Sequence, residues 1–364
     1  MIMETMKLTR KIQLLIDLPT KEERKETLDT LYGWQNRCFR AANLIVSHLY
    51  VQDMIKEFLY LSEGVRHKLA DQKKDELGIL NRSGINTTYR LVSDRFKGEM
   101  PTNILSCLNM ALHSTFKKER DAYWKGERSL KNFRRDMPFP FSMEGVSKIA
   151  YIPEKKAFCF RLFGIPLRTH LGKDFTDKKK ILEQAVEGTT SIYTSHLQLK
   201  DGKVFWLAVF GIEKENNNVK PEVIAEASLS LEYPITVKAG SNRRTFGTQE
   251  EFLYRRLAIQ AARKRAQSGA KYSKPGKGRK RKLKAVKKFE RKERDYVNYR
   301  MHVYSRELID FCVKHQAGTL LLLDQKEKEG IAKDKEFVFR NWGYYGLLEK
   351  IQYKAKKAGI EVLI

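Results

Sequence analysis

Three things are scarce in this chain of 364 residues. Long apolar runs are the first: none approaches the ~20 residues that a membrane-spanning helix needs, so no spanning helix is expected, and a membrane surface is only the runner-up partner. No signal-peptide apolar region follows residues 1–7 either, and the expected location is the bacterial cytoplasm, at the nucleoid. Cysteine is the second. Cys38, Cys107, Cys159 and Cys312 are scattered with no CxxC spacing, so neither a disulfide framework nor a cysteine zinc site is indicated, and buried reduced thiols are expected. Acidic residues are the third: Asp and Glu number 44 against 71 Lys and Arg, a net charge of +27. An excess of that size points to a polyanionic partner, nucleic acid first.

Acids are also missing where chemistry would need them. Residues 221–237 and 318–325 read as two buried apolar strands bounded by turn or charged residues. A metal-dependent nuclease places carboxylates at the ends of such strands, to hold two divalent cations on the scissile phosphate. The first strand offers Ser228; the second offers Leu323, with Asp324 beside it.

What is present falls into four stretches. Residues 6–18 partly alternate in polarity and read as a strand that pairs with a sheet formed later in the chain. Thr20 can cap the helix that follows, with Glu22 and Glu23 in its first turn. Helical periodicity continues to Leu59, then over 86–96 and 102–124, where Leu105, Leu108, Leu112, Phe116 and Tyr123 share a face. From Leu130 the pattern changes to short strands, and residues 191–212 form a hairpin signal around Asp201-Gly202, the mark of a small β-barrel. Beyond the linker at 213–220 the pattern becomes α/β. A helical region spans 250–311 with a glycine-rich break at 268–278. The stretch 337–357 is helical, with Trp342, Tyr345, Leu348, Ile351 and Tyr353 as its stripe. Residues 359–364 read as a last buried strand.

The break sits inside the most basic stretch. Between Arg255 and Arg294 the only acids are Glu290 and Glu293. The segment is internal, flanked by apolar periodicity, and carries Tyr272 beside glycines that let backbone approach a phosphate. Its cations are candidate phosphate contacts: Arg255, Arg256, Arg263, Lys264, Arg265, Lys271, Lys277, Arg279, Lys280, Arg281, Lys282, Lys287 and Lys288. A solvated charged helix is the plainer reading of the same residues.

Residues 300–319 before a run of four leucines, and residues 339–362 with Trp342-Gly-Tyr-Tyr345 and Tyr353-Lys-Ala355, resemble the RuvC-like nuclease domain of the miniature type V-F CRISPR effectors and their TnpB relatives. Residues 130–138 resemble the start of their wedge barrel. The resemblance implies an α+β multidomain fold: wedge strand 1–20, helical recognition lobe 21–128, wedge β-barrel 129–218, and a RuvC-like (RNase H-like) α/β domain 219–364 carrying the basic segment 255–294. Tyr233-Pro234 aligns the family's first catalytic strand, so Ser228 falls on its aspartate; Leu323-Asp324-Gln325 aligns the second, so Leu323 falls on its glutamate. The third acid and the zinc ribbon would follow the last strand, which the chain, ending at Ile364, does not reach; a truncated, nuclease-dead member is expected. Neither Ser228 nor Leu323 supplies the anionic oxygens that Mg²⁺ prefers, Glu226 lies two residues from Ser228 on its face, and Asp324 points opposite to Leu323. No catalytic Mg²⁺, zinc or other cofactor is expected. His196 and His302 lack metal-ligand spacing.

The function implied is RNA-guided DNA binding without cleavage: a guide RNA pairs with one strand of double-stranded target DNA, and the protein reads a short flanking motif. Lys131, Arg134, Arg135, Arg161 and Arg168 are the wedge's candidate phosphate contacts. Asn86, Thr87, Tyr89 and Arg90 open a helix in the lobe that reads the flanking motif in relatives; amides and Arg suit base edges. A binder that cannot cut would control transcription, by recruiting RNA polymerase through a sigma factor or by occluding a promoter. Relatives place two copies on one guide RNA, and Phe39, Leu44, Leu49 and Phe58 offer either a homodimer face or core. Two rivals stand: a residual metal-dependent nuclease with shifted acids, and an RNA-binding protein with no DNA target.

Overall fold

The computed structural model describes residues 5–59, 83–174, 177–230, 233–272, 275–323 and 344–364. The chain divides into two compact units, Lys7–Ile212 and Glu213–Ile364, the latter taking in Met1–Met6. No helix among the described residues is long and apolar enough to cross a membrane.

The first unit carries a seven-stranded sheet and three long helices. The N-terminal strand β1 (Thr5–Ile16) is followed by α1 (Lys21–Leu59), α2 (Gly84–Phe96) and α3 (Thr102–Trp124). Then come β2 (Phe139–Phe141), β3 (Ala150–Ile152), β4 (Ala157–Leu162), β5 (Ile165–His170), α4 (Lys178–Val186), β6 (Ser191–Lys200) and β7 (Lys203–Glu213). The sheet order is β2-β6-β7-β1-β5-β4-β3. The first strand of the chain therefore lies inside the sheet, between two strands made more than a hundred residues later, as its half-apolar alternation predicts. β2 and β3 stand at the two ends of this strand order, and no pairing between them is recorded among the described residues.

Thr20 and Glu23 start α1 as a reciprocal pair. Glu23 N donates to Thr20 Oγ1 at 3.2 Å, and Thr20 N donates to the Glu23 carboxylate at 3.2 Å. Two orphan amides of the first turn are satisfied at once. Along α3 the residues predicted to share a face, from Leu105 to Tyr123, are the ones that are buried. Helices and sheet share one core, in which Phe96, Phe139, Phe158, Trp206 and Phe210 are sealed from solvent. Leu49 is buried and Phe39 and Leu44 are half-buried; the Phe58 side chain lies outside the described residues.

The second unit carries β8 (Lys220–Ser228), β9 (Ile235–Ala239), β10 (Asn242–Phe246), α5 (Gln249–Lys271), α6 (Lys277–Lys314), β11 (Ala317–Leu323), α7 (Tyr344–Ala358) and β12 (Glu361–Leu363). The sheet order is β10-β9-β8-β11-β12, with β8 parallel to β11, β11 parallel to β12, and the β8-β9-β10 meander antiparallel. Residues 221–237, read as one strand, are two strands around a turn in which Tyr233 N donates to Ser230 Oγ. The inner face of the central strands, Ala225, Ala227, Leu320 and Leu322, packs with Met301, Tyr304 and Leu308 of α6 and Leu347 and Ile351 of α7 in one core.

Three further expectations change. The stripe of α7 is Leu347, Ile351, Ala355 and Ala358, while Tyr353 is 37% exposed; Trp342 and the Tyr345 side chain lie outside the described residues. The last strand, β12, is an edge strand with Glu361 and Leu363 exposed rather than a buried one. Of the two central strands, β8 is sealed less fully than an apolar run suggests, because one of its faces holds exposed Ile224 and Glu226. At the β8–β11 seam Gly318 sits in a bulge where an added Cβ would lie 2.6 Å from the Lys220 carbonyl. Only glycine permits that approach.

Candidate nucleic-acid interface

The parallel pairing of β8 and β11 puts Ser228 directly opposite Leu323. Thr236 of β9 stands opposite Ser228 on the other side, so this row across three strands reads Thr-Ser-Leu. Two residues earlier, on the same face, Glu226 stands with Leu321 and Lys238. The two positions aligned from sequence are thus neighbours in space, at the ends of adjacent parallel strands. The residues present do not fit a hard divalent cation: the row supplies hydroxyls and an aliphatic side chain, and no acid or imidazole cluster able to hold a metal occurs among the described residues. Glu226 is exposed and two residues away; Asp324 lies outside the described residues.

The basic stretch is a helical hairpin, α5 and α6, inserted between β10 and β11. Thr248 caps α5 by accepting from Glu251 N at 3.2 Å. At the base of the hairpin cations hold the two helices together. Arg256 is 6% exposed, and its Nε donates to Glu293 Oε1 at 2.9 Å. Arg263 approaches the same carboxylate at 4.0 Å, and Gln260 donates to it at 2.8 Å. Burial raises the Glu293 pKa, but the hydrogen bonds from Gln260 and Arg256 and the charges of Arg256 and Arg263 outweigh it and hold the carboxyl below its ordinary range. Arg300 pairs with Glu251, and Phe252 stacks on Tyr296. Arg256 is therefore not available to phosphate: it is the buried half of an interhelical pair, and Arg263 is half-buried beside it.

Toward the tip the environment reverses. Lys264, Arg265 and Lys271 on α5 are exposed, as are Lys277, Arg279, Lys280, Arg281, Lys282, Lys287 and Lys288 on α6; Arg255 is exposed too, but at the base beside Arg256. Eight of the twelve residues from 277 to 288 are cations, and residues 275–284 are exposed on every side of the helix. Tyr272, at the end of α5, is 84% exposed. Lys282 Nζ reaches back to the Gly269 carbonyl at 3.0 Å.

In the first unit the candidates divide in the same way. Lys131 donates to Glu119 at 2.7 Å, next to Arg128 at 2.9 Å; hydrogen bonds from Lys131 and Tyr123 hold the Glu119 carboxyl below its usual pKa. Arg168 lies 3.5 Å from Asp17, which also binds Lys155 at 2.6 Å. Arg134, Arg135 and Arg161 are exposed. On α2, Asn86 and Arg90 are exposed and Tyr89 is half-buried against the core. Thr87 is a correction: it is buried, and its hydroxyl donates to the Ser83 carbonyl at 3.1 Å, closing the first turn rather than facing a base. His196 and His302 are both held below the usual imidazole pKa by burial, His302 also by Lys350 and Lys354.

Sequence reasoning missed one cluster, on the outer face of the seven-stranded sheet. Lys7 Nζ lies 5.1 Å from the Tyr193 ring centre, and Lys11 Nζ 4.2 Å from that of Phe205. The alternation of β6 and β7 was legible; that β1 carries these lysines to the same face was not.

The second unit thus runs β-β-β-α-α-β-α-β around a mixed sheet, the arrangement expected of an RNase H-like domain, with Ser228 and Leu323 at the two positions aligned from sequence. No family model matches the chain. It is 35% identical over 112 residues to the CRISPR-associated endodeoxyribonuclease Cas12f1 of Syntrophomonas palmitatica, covering 30% of this chain and 22% of that protein. It is 33% identical over 88 residues to Cas12f1 of Sulfoacidibacillus thermotolerans, covering 24% of this chain and 20% of that one. The match thus spans about a fifth of the length of these relatives. A cryo-EM structure of a Cas12f1-sgRNA-target DNA complex shares the fold, with TM-score 0.65 over 99% of this chain and 89% of that chain at 14% identity. The chain is thus similar to Cas12f1 proteins over part of its sequence, and to a Cas12f1 structure in its fold.

Proposed function

We propose that this chain is a nuclease-inactive, RNA-guided DNA-binding protein that controls transcription. The observation that carries the reading is the register of Ser228 with Leu323, which leaves the row where two cations would bridge a scissile phosphate without a carboxylate. Its action requires neither catalytic Mg²⁺ nor zinc. The exposed cations of the hairpin tip and of the first unit supply the electrostatics for a guide RNA and its target DNA. A bound protein that leaves DNA intact acts through what it blocks or brings. The type V-F character of residues 339–362 supports recruitment of RNA polymerase through a sigma factor.

The test is to purify the chain from cells carrying its native locus and to sequence the RNA that comes with it. A discrete RNA with a constant scaffold and a terminal segment matching a promoter is expected, together with a sigma factor in the same eluate. Housekeeping RNA without such a segment sinks the guided reading. A repressed rather than activated target replaces recruitment by promoter occlusion. With the guide and a matched target, no nick is expected in Mg²⁺ or in excess Mn²⁺; cleavage that disappears on Asp324→Ala restores the nuclease.

A further inference from the structure

We propose that the outer face of the seven-stranded sheet is a stacking platform for unpaired RNA nucleotides, with Tyr193 and Phe205 as ring surfaces and Lys7 and Lys11 as phosphate partners. This deepens the RNA-guided reading and rests on it.

The backbone is shaped to put Tyr193 there. Along β6, Ser195, Leu197 and Leu199 point into the core. Tyr193, two residues before Ser195, would follow them inward if the alternation held. It does not hold. Tyr193 pairs with Val209 and His196 with Leu207, so three steps on β6 match two on β7. The extra residue is a bulge, and a bulge turns the side chains beyond it to the other face. The buried hydroxyl of Ser195 fixes it, donating to Tyr193 O at 2.8 Å and accepting from Val209 N at 3.2 Å. Gly211 then makes room: a Cβ there would come within 2.7 Å of Tyr193 Cε2. A bulge and a strand glycine both weaken a sheet. Here both bring a large ring out to 38% exposure instead of into the core.

Each ring is matched with a cation. Lys7 lies over Tyr193, and Lys11 lies over Phe205 while bonding Gln198 Oε1 at 2.6 Å. Lys–aromatic pairs also form on inert surfaces, where they contribute about 0.5–1 kcal/mol. Two such pairs on one sheet face, in a chain of net charge +27, match a strand that offers bases to rings and phosphates to lysines. Phe205 and Val209, the residue opposite Tyr193, are four apart on β7, roughly 13 Å. The rings therefore serve separate bases rather than clamping one. The amide of Gln198 beside Phe205 gives a hydrogen-bonding group for a base edge or a 2′-hydroxyl.

The full chain is titrated by fluorescence anisotropy against a uridine dodecamer, a deoxythymidine dodecamer and a duplex DNA. Tyr193→Ala and Phe205→Ala are each expected to weaken the uridine dodecamer about tenfold, the typical loss of one stacked base, and to leave the duplex within about twofold. Gly211→Val keeps both rings but displaces Tyr193, and the same loss is expected. Tyr193→Trp is expected to retain binding. Unchanged RNA affinity in a folded Tyr193→Ala, or an equal loss on the duplex, overturns the platform. Equal affinity for the deoxythymidine dodecamer, weakened equally by the variants, overturns its assignment to RNA. A wild-type chain that binds none of the three probes removes the RNA-guided reading as well.

Discussion

The base and the tip of the α5–α6 hairpin are written in the same residues and do opposite things. At the base, Arg256 and Arg263 converge on Glu293 and the helices close around them. At the tip, residues 275–284 face solvent on every side. Between Arg255 and Phe289 there is no acid, so the tip carries none of its own. A single carboxylate on the facing helix converts two members of a basic run from ligands of a polyanion into interior struts. Charge density alone does not mark an interface; the placement of the rare acids does.

The largest effect that would break this contrast is removal of Glu293. Glu293→Ala leaves Arg256 buried without its carboxylate and should destabilise the chain by about 3 kcal/mol in urea unfolding, the usual cost of breaking a buried pair. A chain of unchanged stability but weakened DNA binding would put the base among the binding residues after all. The same carboxyl predicts a pH dependence. Its folded pKa lies below the ordinary value of 4.5, so its stabilisation is complete above that pH and is lost as pH falls through the folded pKa. Glu293→Ala should flatten this acid limb.

Neutralising the tip is the complementary experiment. Lys277→Gln, Arg279→Gln, Lys280→Gln and Arg281→Gln together should shift stability by less than about 0.5 kcal/mol per site, as exposed substitutions do. They should reduce the slope of log K against log salt on duplex DNA by up to about 0.9 for each phosphate left without its cation. An unchanged slope would reduce the tip to a solvated helix.

The smallest effect concerns a cation that is neither strut nor tip. Lys354 of α7 donates to the His302 carbonyl at 2.5 Å and Ser305 Oγ at 2.8 Å. Burial, with the charges of Arg306 and Lys350 against the opposing Asp310, pushes its pKa down to about 8. The folded state thus holds this proton less tightly than the unfolded chain, whose lysine titrates near 10.5. The charged form costs stability below about pH 8, and the cost fades as pH rises from there to about 10.5. Lys354→Met should stabilise the chain at pH 7 by on the order of 1 kcal/mol, a modest figure because the group is half-exposed and screened. It should also flatten the rise in alkaline solution.

Much of the fold was legible. The 3.6-residue period of α3 and the Thr20–Glu23 pair at the start of α1 are local signals, and the structure uses both as written. Others failed for physical reasons. Residues 221–237 look like one strand because both arms of a meander are apolar, and the turn at Ser230–Tyr233 contains no glycine. Thr87 resembles a base reader because a helix's first turn and a recognition helix favour the same small polar residues; only burial separates them. The out-of-phase step at Tyr193 was hidden because a bulge appears only when a strand is compared with its partner.

The amino-acid sequence by itself determined the charge, the helical and strand periods, and which residue types stand at positions 228 and 323, since these are properties of residue type and spacing along the chain. Only the tertiary structure decided that Ser228 and Leu323 stand side by side, that Arg256 is a strut while Arg279 is open to solvent, and that Lys7 meets Tyr193 across the sheet. Strand register and helix docking bring together residues far apart in the chain, and no local period encodes which of them will meet.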